Sequence, residues 1–339
     1  MIVRQKLFEF AARMGADSIG VASSPDYESR VPNLQKPSLT ASGMKSLICF
    51  SKHMLTGAFA TRGIAVQSSN SHYCMDQVDK TSIRIARWLE ERGHLGVPVP
   101  PEAADMNLQR SPAGTLDFKW VAEACGVGTV GLELNLLTPD YGPRVYLGVV
   151  MTDAEIEPTP PLEKNLCPGM LCGRCAVICP TQAIPLRARR GAPVEEYRSL
   201  NKRACASGAE RIGIQPFLLN LKKLVFAGKP HSEEVYQDSY WKEFWQSVNS
   251  KLGAFAACFE CFYVCPPGSR DFRKIIRIPY RRQDIPGKVR RKVFGDMVEM
   301  VYQGVPPERV AEYQRDRDFS GQEAGGRKQE AGDGSGSFH

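Results

Sequence analysis

Eight cysteines, in two tight groups and one single residue, carry the strongest chemical signal in this 339-residue chain. The first group reads Cys167-x4-Cys172-x2-Cys175-x3-Cys179-Pro180 and the second Cys258-x2-Cys261-x3-Cys265-Pro266, while Cys205 stands between them in NKRACASG. A loop that returns a thiol every third or fourth residue can wrap several irons, with its backbone N–H groups facing the sulfurs that carry the charge. Four thiolates also suit zinc, and a single C-x2-C pair would leave that option open. Two C-x2-C-x3-C-P runs with an eighth thiol available favour a pair of [4Fe–4S] clusters.

In two-cluster ferredoxins the last cysteine of each run ligates the other cluster. By that rule Cys167, Cys172, Cys175 and Cys265 hold one cluster. Cys179, Cys258 and Cys261 hold the second, with Cys205 as the remaining ligand. The x4 spacing after Cys167 departs from the usual x2, and the inserted Pro168-Gly169-Met170-Leu171 has the composition of a turn. Cys49, Cys74 and Cys125 lie in apolar or helical surroundings and read as buried small residues. Eleven cysteines would suggest disulfides in a small secreted chain, but the length and the N-terminal composition fit that class poorly.

Periodicity supplies the elements that must position these thiols. An apolar face predicts a helix over 6–15, and strands are predicted over 18–22 and 46–51. Residues 52–73 show no period and read as an irregular loop. A helix over 76–92, an extended segment over 97–101, a helix over 118–124 and a buried strand over 145–152 follow. The mixture points to one α/β or α+β unit over 1–157, with Pro158, Pro160 and Pro161 at its boundary. Beyond it lie the iron–sulfur region over 158–280, with helical patterns within 213–250, a helical extension over 281–318 and a disordered tail over 319–339. Gly126-Val127-Gly128-Thr129-Val130-Gly131 is formally a GxGxxG. It follows a helix rather than a strand, so it reads as a site of close backbone approach and not as a dinucleotide fingerprint.

Hydrophobic content of 42% and charged content of 24% are ordinary for a globular chain, and no run approaches the roughly 20 apolar residues of a membrane helix. The first fifteen residues form an amphipathic pattern and not a signal peptide, so a cytoplasmic location is expected. The net charge of +7 gathers its basic residues in Arg187–Arg190 and Arg270–Lys292. Such stretches suit an acidic electron donor or nucleic acid, and nucleic acid is the less favoured of the two.

Several segments together resemble one family. They are GVGTVGLELNLLTPDYGPRVYLGVVMTD (126–153) running into the first cysteine group, AARMGADSIGVA (11–22), DKTSIRIARWLEERGHLGVPVPP (79–101) and NKRACASG (201–208). Over about residues 1–270 the chain is similar to the epoxyqueuosine reductase and reductive dehalogenase superfamily. The resemblance implies an α+β, nitroreductase-like domain binding cobalamin in its base-off form, followed by a ferredoxin-like domain with two [4Fe–4S] clusters. It implies that Gly126, Gly128, Gly131, Asn135, Thr138, Tyr141, Gly142 and Arg144 line the corrin. Electrons from an external ferredoxin or flavodoxin would then reduce a small organic substrate by dehalogenase-like or epoxide-reductase-like chemistry. By their order in the chain, Tyr73 and Lys119 are the first candidate proton donors and Asp117 the third.

Some positions depart from the family's pattern. The aspartate that epoxyqueuosine reductases place before the GxG block falls at Pro112, beside Arg110 and Ser111, and Pro267 stands where a Trp is usual. The twin-arginine leader of respiratory dehalogenases is not seen. These differences point away from queuosine synthesis and toward another substrate. Two other readings stand beside this one. In the first, a ferredoxin-type electron-transfer protein without corrinoid docks a partner enzyme. In the second, a tRNA-modifying reductase uses the basic stretch for phosphates.

Overall fold

Alternation of side chains along four strands explains the first half of the chain. In the computed structural model the described residues are 2–31, 35–59, 64–100, 116–179, 181–202, 204–205, 258–266 and 288–303. Strands β1 (Ser18–Ser23), β2 (Ser46–His53), β3 (Gly96–Val99) and β6 (Val145–Thr152) form a sheet of order β1-β2-β6-β3, antiparallel throughout. The two-residue strands β4 (Thr129–Val130) and β5 (Leu136–Leu137) make a separate hairpin.

Successive strand residues face opposite sides of a sheet, and each side here meets its own helices. Val21, Ile48, Phe50 and Val150 pack with Leu7 and Ala11 of α1 (Arg4–Arg13) and with Val78, Ile85 and Leu89 of α5 (Ile64–Glu90). Ala22, Leu47, Cys49, Val149 and Met151 pack on the other side with Val121 and Ala122 of α6 (Phe118–Ala124). The result is helix, sheet, helix. Each fully buried Leu, Ile or Phe here contributes about 1.5–3 kcal/mol from removal of its surface from water. The helix over 118–124 and the strand over 145–152 lie where the periodicity predicts them.

The irregular loop expected over 52–73 is corrected. Its residues form the end of β2, the single turn α4 (Thr56–Phe59) and the first part of α5. No apolar stripe announces this part of α5 because its buried face is polar. Gln67, Asn70 and Ser71 are buried, with Gln67 donating to the Tyr263 hydroxyl, Asn70 Oδ1 accepting from Leu55 N at 3.2 Å, and Ser71 bonded to the Tyr146 hydroxyl.

The cysteine-bearing half is built from shorter pieces. They are a 3-10 turn at Gly169–Leu171, the five-residue helices α7 (Arg174–Ile178) and α8 (Glu260–Val264), and the strand β7 (Arg187–Arg189). The remaining short helices, α2 (Ser24–Glu28) and α3 (Pro37–Thr40), belong to the first half. α7 and α8 pack together in a core with Met54, Phe59, Leu132, Ile184, Phe259 and Tyr263. Phe59 meets both Phe259 and Tyr263 edge-on, with centroids 6.1 and 5.3 Å apart, so α4 and the second cysteine group share one core.

The helical extension expected over 281–318 is also corrected. Residues 288–303 form a β-hairpin, β8 (Lys288–Phe294) and β9 (Met297–Gln303), turning at Gly295-Asp296. β9 pairs antiparallel with β7, giving the order β7-β9-β8. Val289, Val293, Val298 and Val301 are β-branched and suit a strand, a preference that the polar composition of the stretch obscures. The helical patterns within 213–250 and the tail over 319–339 lie outside the described residues.

The prolines at the expected boundary do not form a loose linker. Thr159 donates its N–H to Val21 O at 2.8 Å and accepts from Val21 N at 3.1 Å through Oγ1, covering the free edge of β1.

Candidate iron–sulfur centre

The first cysteine loop hangs on hydrogen bonds to its sulfurs and to its turns. Cys167 Sγ accepts from Leu132 N and Gly169 N, each at 3.4 Å, and Cys179 Sγ accepts from Ala183 N at 3.3 Å. Backbone N–H groups on a sulfur favour its charged form, as a metal-bound thiolate requires. Gly173 opens α7 in the left-handed region, at φ +55, so the chain reverses between Cys172 and Cys175. Tyr197 supports the inserted turn by accepting from Met170 N at 2.8 Å through its hydroxyl.

The second loop is clamped from the sheet half. Arg144, 4% exposed, donates to Phe262 O at 2.9 Å and Cys265 O at 3.1 Å. Burial lowers its pKa to about 10, opposed by the Cys265 sulfur, so it stays charged at neutral pH. Asn135 Nδ2 lies 3.7 Å from Cys261 Sγ.

The thiols sort by which of them repel one another when ionised. Burial is the main cause that raises the Cys265 thiol, followed by Glu133, with Cys167 and Cys172 adding to it. Cys175 is raised by burial, then by Glu133, Cys261, Cys265 and Cys167. Cys167 is pushed up to about 11 by burial and then Glu133, with Cys172 contributing. Cys261 has different neighbours: after burial and Glu133 they are Cys258, Cys205 and Cys179. Cys205 is raised by burial and then by Cys179. By that proximity Cys265 lies with Cys167 and Cys172, and Cys261 with Cys258, Cys205 and Cys179. Cys175 and Cys261 are the pair that link them. Among the described residues no three Cys, His, Asp or Glu side chains gather as a site for one metal ion; cubane ligands stand at separated corners.

Glu133 occupies the seam, and no motif in the sequence points to it. It is 2% exposed, its Oε2 accepts from the Cys175 thiol at 3.6 Å, and its Oε1 has no hydrogen-bond partner among the described residues. Burial pushes its carboxyl up. The next residue, Leu134, is a non-glycine in the left-handed region at φ +59, which costs about 1–3 kcal/mol and turns the loop between β4 and β5 toward the cysteines. No spacing rule marks an acid within a glycine-rich loop, so its role shows only in three dimensions. Arg198 is another such residue. It bonds Glu123 Oε1 at 3.1 Å and Val130 O at 2.8 Å, with its guanidinium 4.5 Å from the Trp120 ring centroid, tying the cysteine half to α6.

The residues expected to line a corrin are each occupied within the chain. A Cβ on Gly126 would stand 2.3 Å from Pro160 O, and one on Gly128 2.3 Å from Leu137 O. The space beside these glycines is filled by the protein's own backbone. Gly131 faces the side chains of Glu133 and Leu137, at 3.0 and 3.1 Å. Thr138 and Gly142 close a tight turn on each other, with Gly142 N donating to Thr138 O at 2.9 Å. Tyr141 stacks on His53, centroids 4.4 Å apart, and His53 bonds Asp17 at 2.8 Å. Asn135 and Arg144 serve the second cysteine loop. Each of these eight residues is engaged within the chain, which leaves no corrin cradle among them, whereas the N–H donors on Cys167 and Cys179 suit metal-bound thiolates.

Of the expected proton donors, Lys119 and Asp117 are brought together at 2.6 Å at the start of α6. Tyr73 lies on α5, 67% exposed, and α5 and α6 cover opposite faces of the sheet. Tyr73 and Lys119 therefore do not act on one point. Cys49, Cys74 and Cys125 are buried, as expected of structural thiols.

Known proteins agree with the motifs. No family model matches the chain. The epoxyqueuosine reductase of Bacillus cereus is 25% identical over 211 residues, covering 54% of this chain and 52% of that protein. The chain is similar to the epoxyqueuosine reductases. It spans about half the length of the epoxyqueuosine reductases of Bacillus cereus and Bacillus anthracis that it matches. Two solved structures are similar to parts of the chain. An epoxyqueuosine reductase with a tRNA-Tyr epoxyqueuosine-modified stem loop has a TM-score of 0.47 at 18% identity, covering 78% of this chain and 65% of that one. The catabolic reductive dehalogenase NpRdhA has a TM-score of 0.48 at 16% identity, covering 81% and 34%. Among the described residues no helix is long and apolar enough to cross a membrane.

Proposed function

We propose that this chain is an iron–sulfur reductase of the epoxyqueuosine reductase superfamily, moving single electrons through two [4Fe–4S] clusters to reduce a small organic substrate. Cys167, Cys172, Cys175 and Cys265 hold one cluster, and Cys179, Cys205, Cys258 and Cys261 the other. The sorting of the thiols into those two neighbourhoods is the observation that carries this reading. Bound cubanes would supply one-electron transfer, while the chain's own residues arrange it. Leu132 N, Gly169 N and Ala183 N stabilise thiolate charge, Arg144 fixes the second loop, and Glu133 accepts from the Cys175 thiol. The unit over 1–157 would receive the electrons, with Lys119 and Asp117 as the paired proton-handling candidates. Cobalamin follows from the family resemblance alone, and no step is assigned to it.

A second reading has a specific observation in its favour. All eight residues expected to face a corrin are engaged inside the chain, which suits an electron-transfer protein that docks a partner enzyme. Anaerobic purification after growth with cobalamin separates the two. About eight irons per chain with stoichiometric cobalt favours the reductase with a corrinoid held away from residues 126–144. About eight irons with no retained cobalt favours the electron carrier. Fewer than about four irons would overturn both.

A further inference from the structure

We propose that the loop between β4 and β5, residues 131–135, sets the reduction potentials of the two proposed clusters, with Glu133 acting on the one held by Cys175 and Asn135 on the one held by Cys261. The proposal rests on the iron–sulfur reading above and adds which side chains of this chain adjust each cluster. Three groups of this one short loop reach cysteine sulfurs. Leu132 N lies 3.4 Å from Cys167 Sγ, Glu133 Oε2 3.6 Å from Cys175 Sγ, and Asn135 Nδ2 3.7 Å from Cys261 Sγ. Glu133 and Asn135, two residues apart, thus each touch one sulfur of a different proposed set.

The loop is anchored without help from either side chain. Gly131 N donates to Asn135 O at 2.9 Å and Leu134 N to Gly131 O at 3.1 Å, closing the loop on itself. Leu132 is fully buried in the core that α7 and α8 share. Leu134 holds the left-handed region at φ +59, and the residues on either side of it are the two that reach sulfurs. None of these anchors needs a polar side chain at 133 or 135. A buried carboxyl whose Oε1 lacks a partner among the described residues is destabilising by itself, so packing alone does not explain Glu133.

Hydrogen bonds to the sulfurs are one of the levers that set an iron–sulfur potential, because a donor stabilises the charge that an added electron places on the ligand. The Asn135 amide nitrogen can only donate. Glu133 accepts from the Cys175 thiol, but a sulfur bound to iron has no hydrogen to give. The contact then holds with the carboxyl as donor, since two anions would otherwise meet in a buried place. That hydrogen stays on Glu133 as the electron passes, so its role is a fixed hydrogen bond. Both contacts make their own cluster easier to reduce, and each can be altered alone.

The test is a redox titration of the anaerobically purified full chain followed by paramagnetic resonance, with the two signals assigned by Cys175→Ala and Cys258→Ala. Asn135→Leu is expected to make the Cys261 cluster harder to reduce by about tenfold, roughly 59 mV for one electron, with the Cys175 cluster unchanged. Glu133→Leu is expected to do the same to the Cys175 cluster alone. Glu133→Gln, whose amide keeps a donor, should return that midpoint to within about threefold of the unsubstituted protein. If Glu133→Leu loses iron, Asn135→Leu and Glu133→Gln decide the matter in the same titration. Unchanged midpoints in Asn135→Leu, or equal shifts of both clusters in either leucine variant, would overturn the proposal. So would a Glu133→Gln variant whose Cys175 cluster is easier to reduce by about tenfold, the mark of a removed charge and not of a kept donor. Absence of both signals from the reduced, unsubstituted protein would instead overturn the iron–sulfur reading.

Discussion

Phe50, Leu47 and Ile85 are fully buried between long elements in the sheet half, whereas Cys175, Cys265 and Glu133 are buried between five-residue helices and turns in the cysteine half. The first half has strands of up to eight residues and a 27-residue helix, with each sheet face closed by its own apolar layer. The second brings eight thiols and a carboxyl into low-dielectric surroundings where most of the thiols resist ionisation. Apolar burial stabilises the one outright. In the other, on the proposed iron–sulfur reading, burial of thiols is favourable once metal replaces their protons, so its order would depend on what it binds. The contact between them is in part apolar, through Phe59 against Phe259 and Tyr263, and in part polar: Arg144, Asn135, Gln67 and Arg198 reach across.

Removing the clusters should separate the two halves most. In hydrogen exchange, iron-free protein is expected to lose about a thousandfold of protection in α7 and α8, about 4 kcal/mol of linkage, while β2 and β6 keep theirs. Equal losses in both halves would mean one cooperative unit. Phe50→Ala makes the converse perturbation. It should destabilise the sheet half by about 3–5 kcal/mol, read from the urea midpoint, with iron per chain unchanged under native conditions. Arg144→Met probes the seam. Leaving two buried carbonyls without their charged donor should cost about 2–3 kcal/mol and lower iron content, with β2 protection intact. The smallest effect belongs to Cys74, whose thiol is pushed up from 9.0 to about 12 by burial. A folded pKa above the unfolded value gives stability that is full below pH 9.0 and is lost as pH rises through about 12. Iron-free protein at about pH 10 should therefore lose about 1 kcal/mol that Cys74→Ala does not lose.

The sheet half is largely legible in the sequence because its strands and helices carry simple apolar periods. VYLGVVMT and FKWVAEA lie where those periods place them. Legibility fails where burial is polar. QSSNSHY reads as a loop, yet Gln67, Asn70 and Ser71 line a helix against Tyr263, Tyr146 and Leu55. KVRRKVF reads as a charged helix because its basic residues outnumber its valines, and only pairing within the sheet β7-β9-β8 reveals a strand. At the centre, cysteine spacing singles out the eight thiols that the proposed clusters would use. Glu133, Arg198 and the N–H groups of Leu132 and Ala183 come into view only in three dimensions, since their roles depend on long-range contact. The glycine block is the reverse case. Its motif is plain, but its close approaches are to Pro160 and Leu137 of the same chain.

Crossed ligation is the central claim, and paramagnetic resonance of single-cysteine variants tests it most directly. Reduced, anaerobically purified Cys265→Ala should lose or convert the same cluster signal as Cys167→Ala, while Cys205→Ala and Cys258→Ala should share the other. If Cys265→Ala instead matches its sequence neighbour Cys258→Ala, the two loops do not exchange ligands and crossed ligation is wrong.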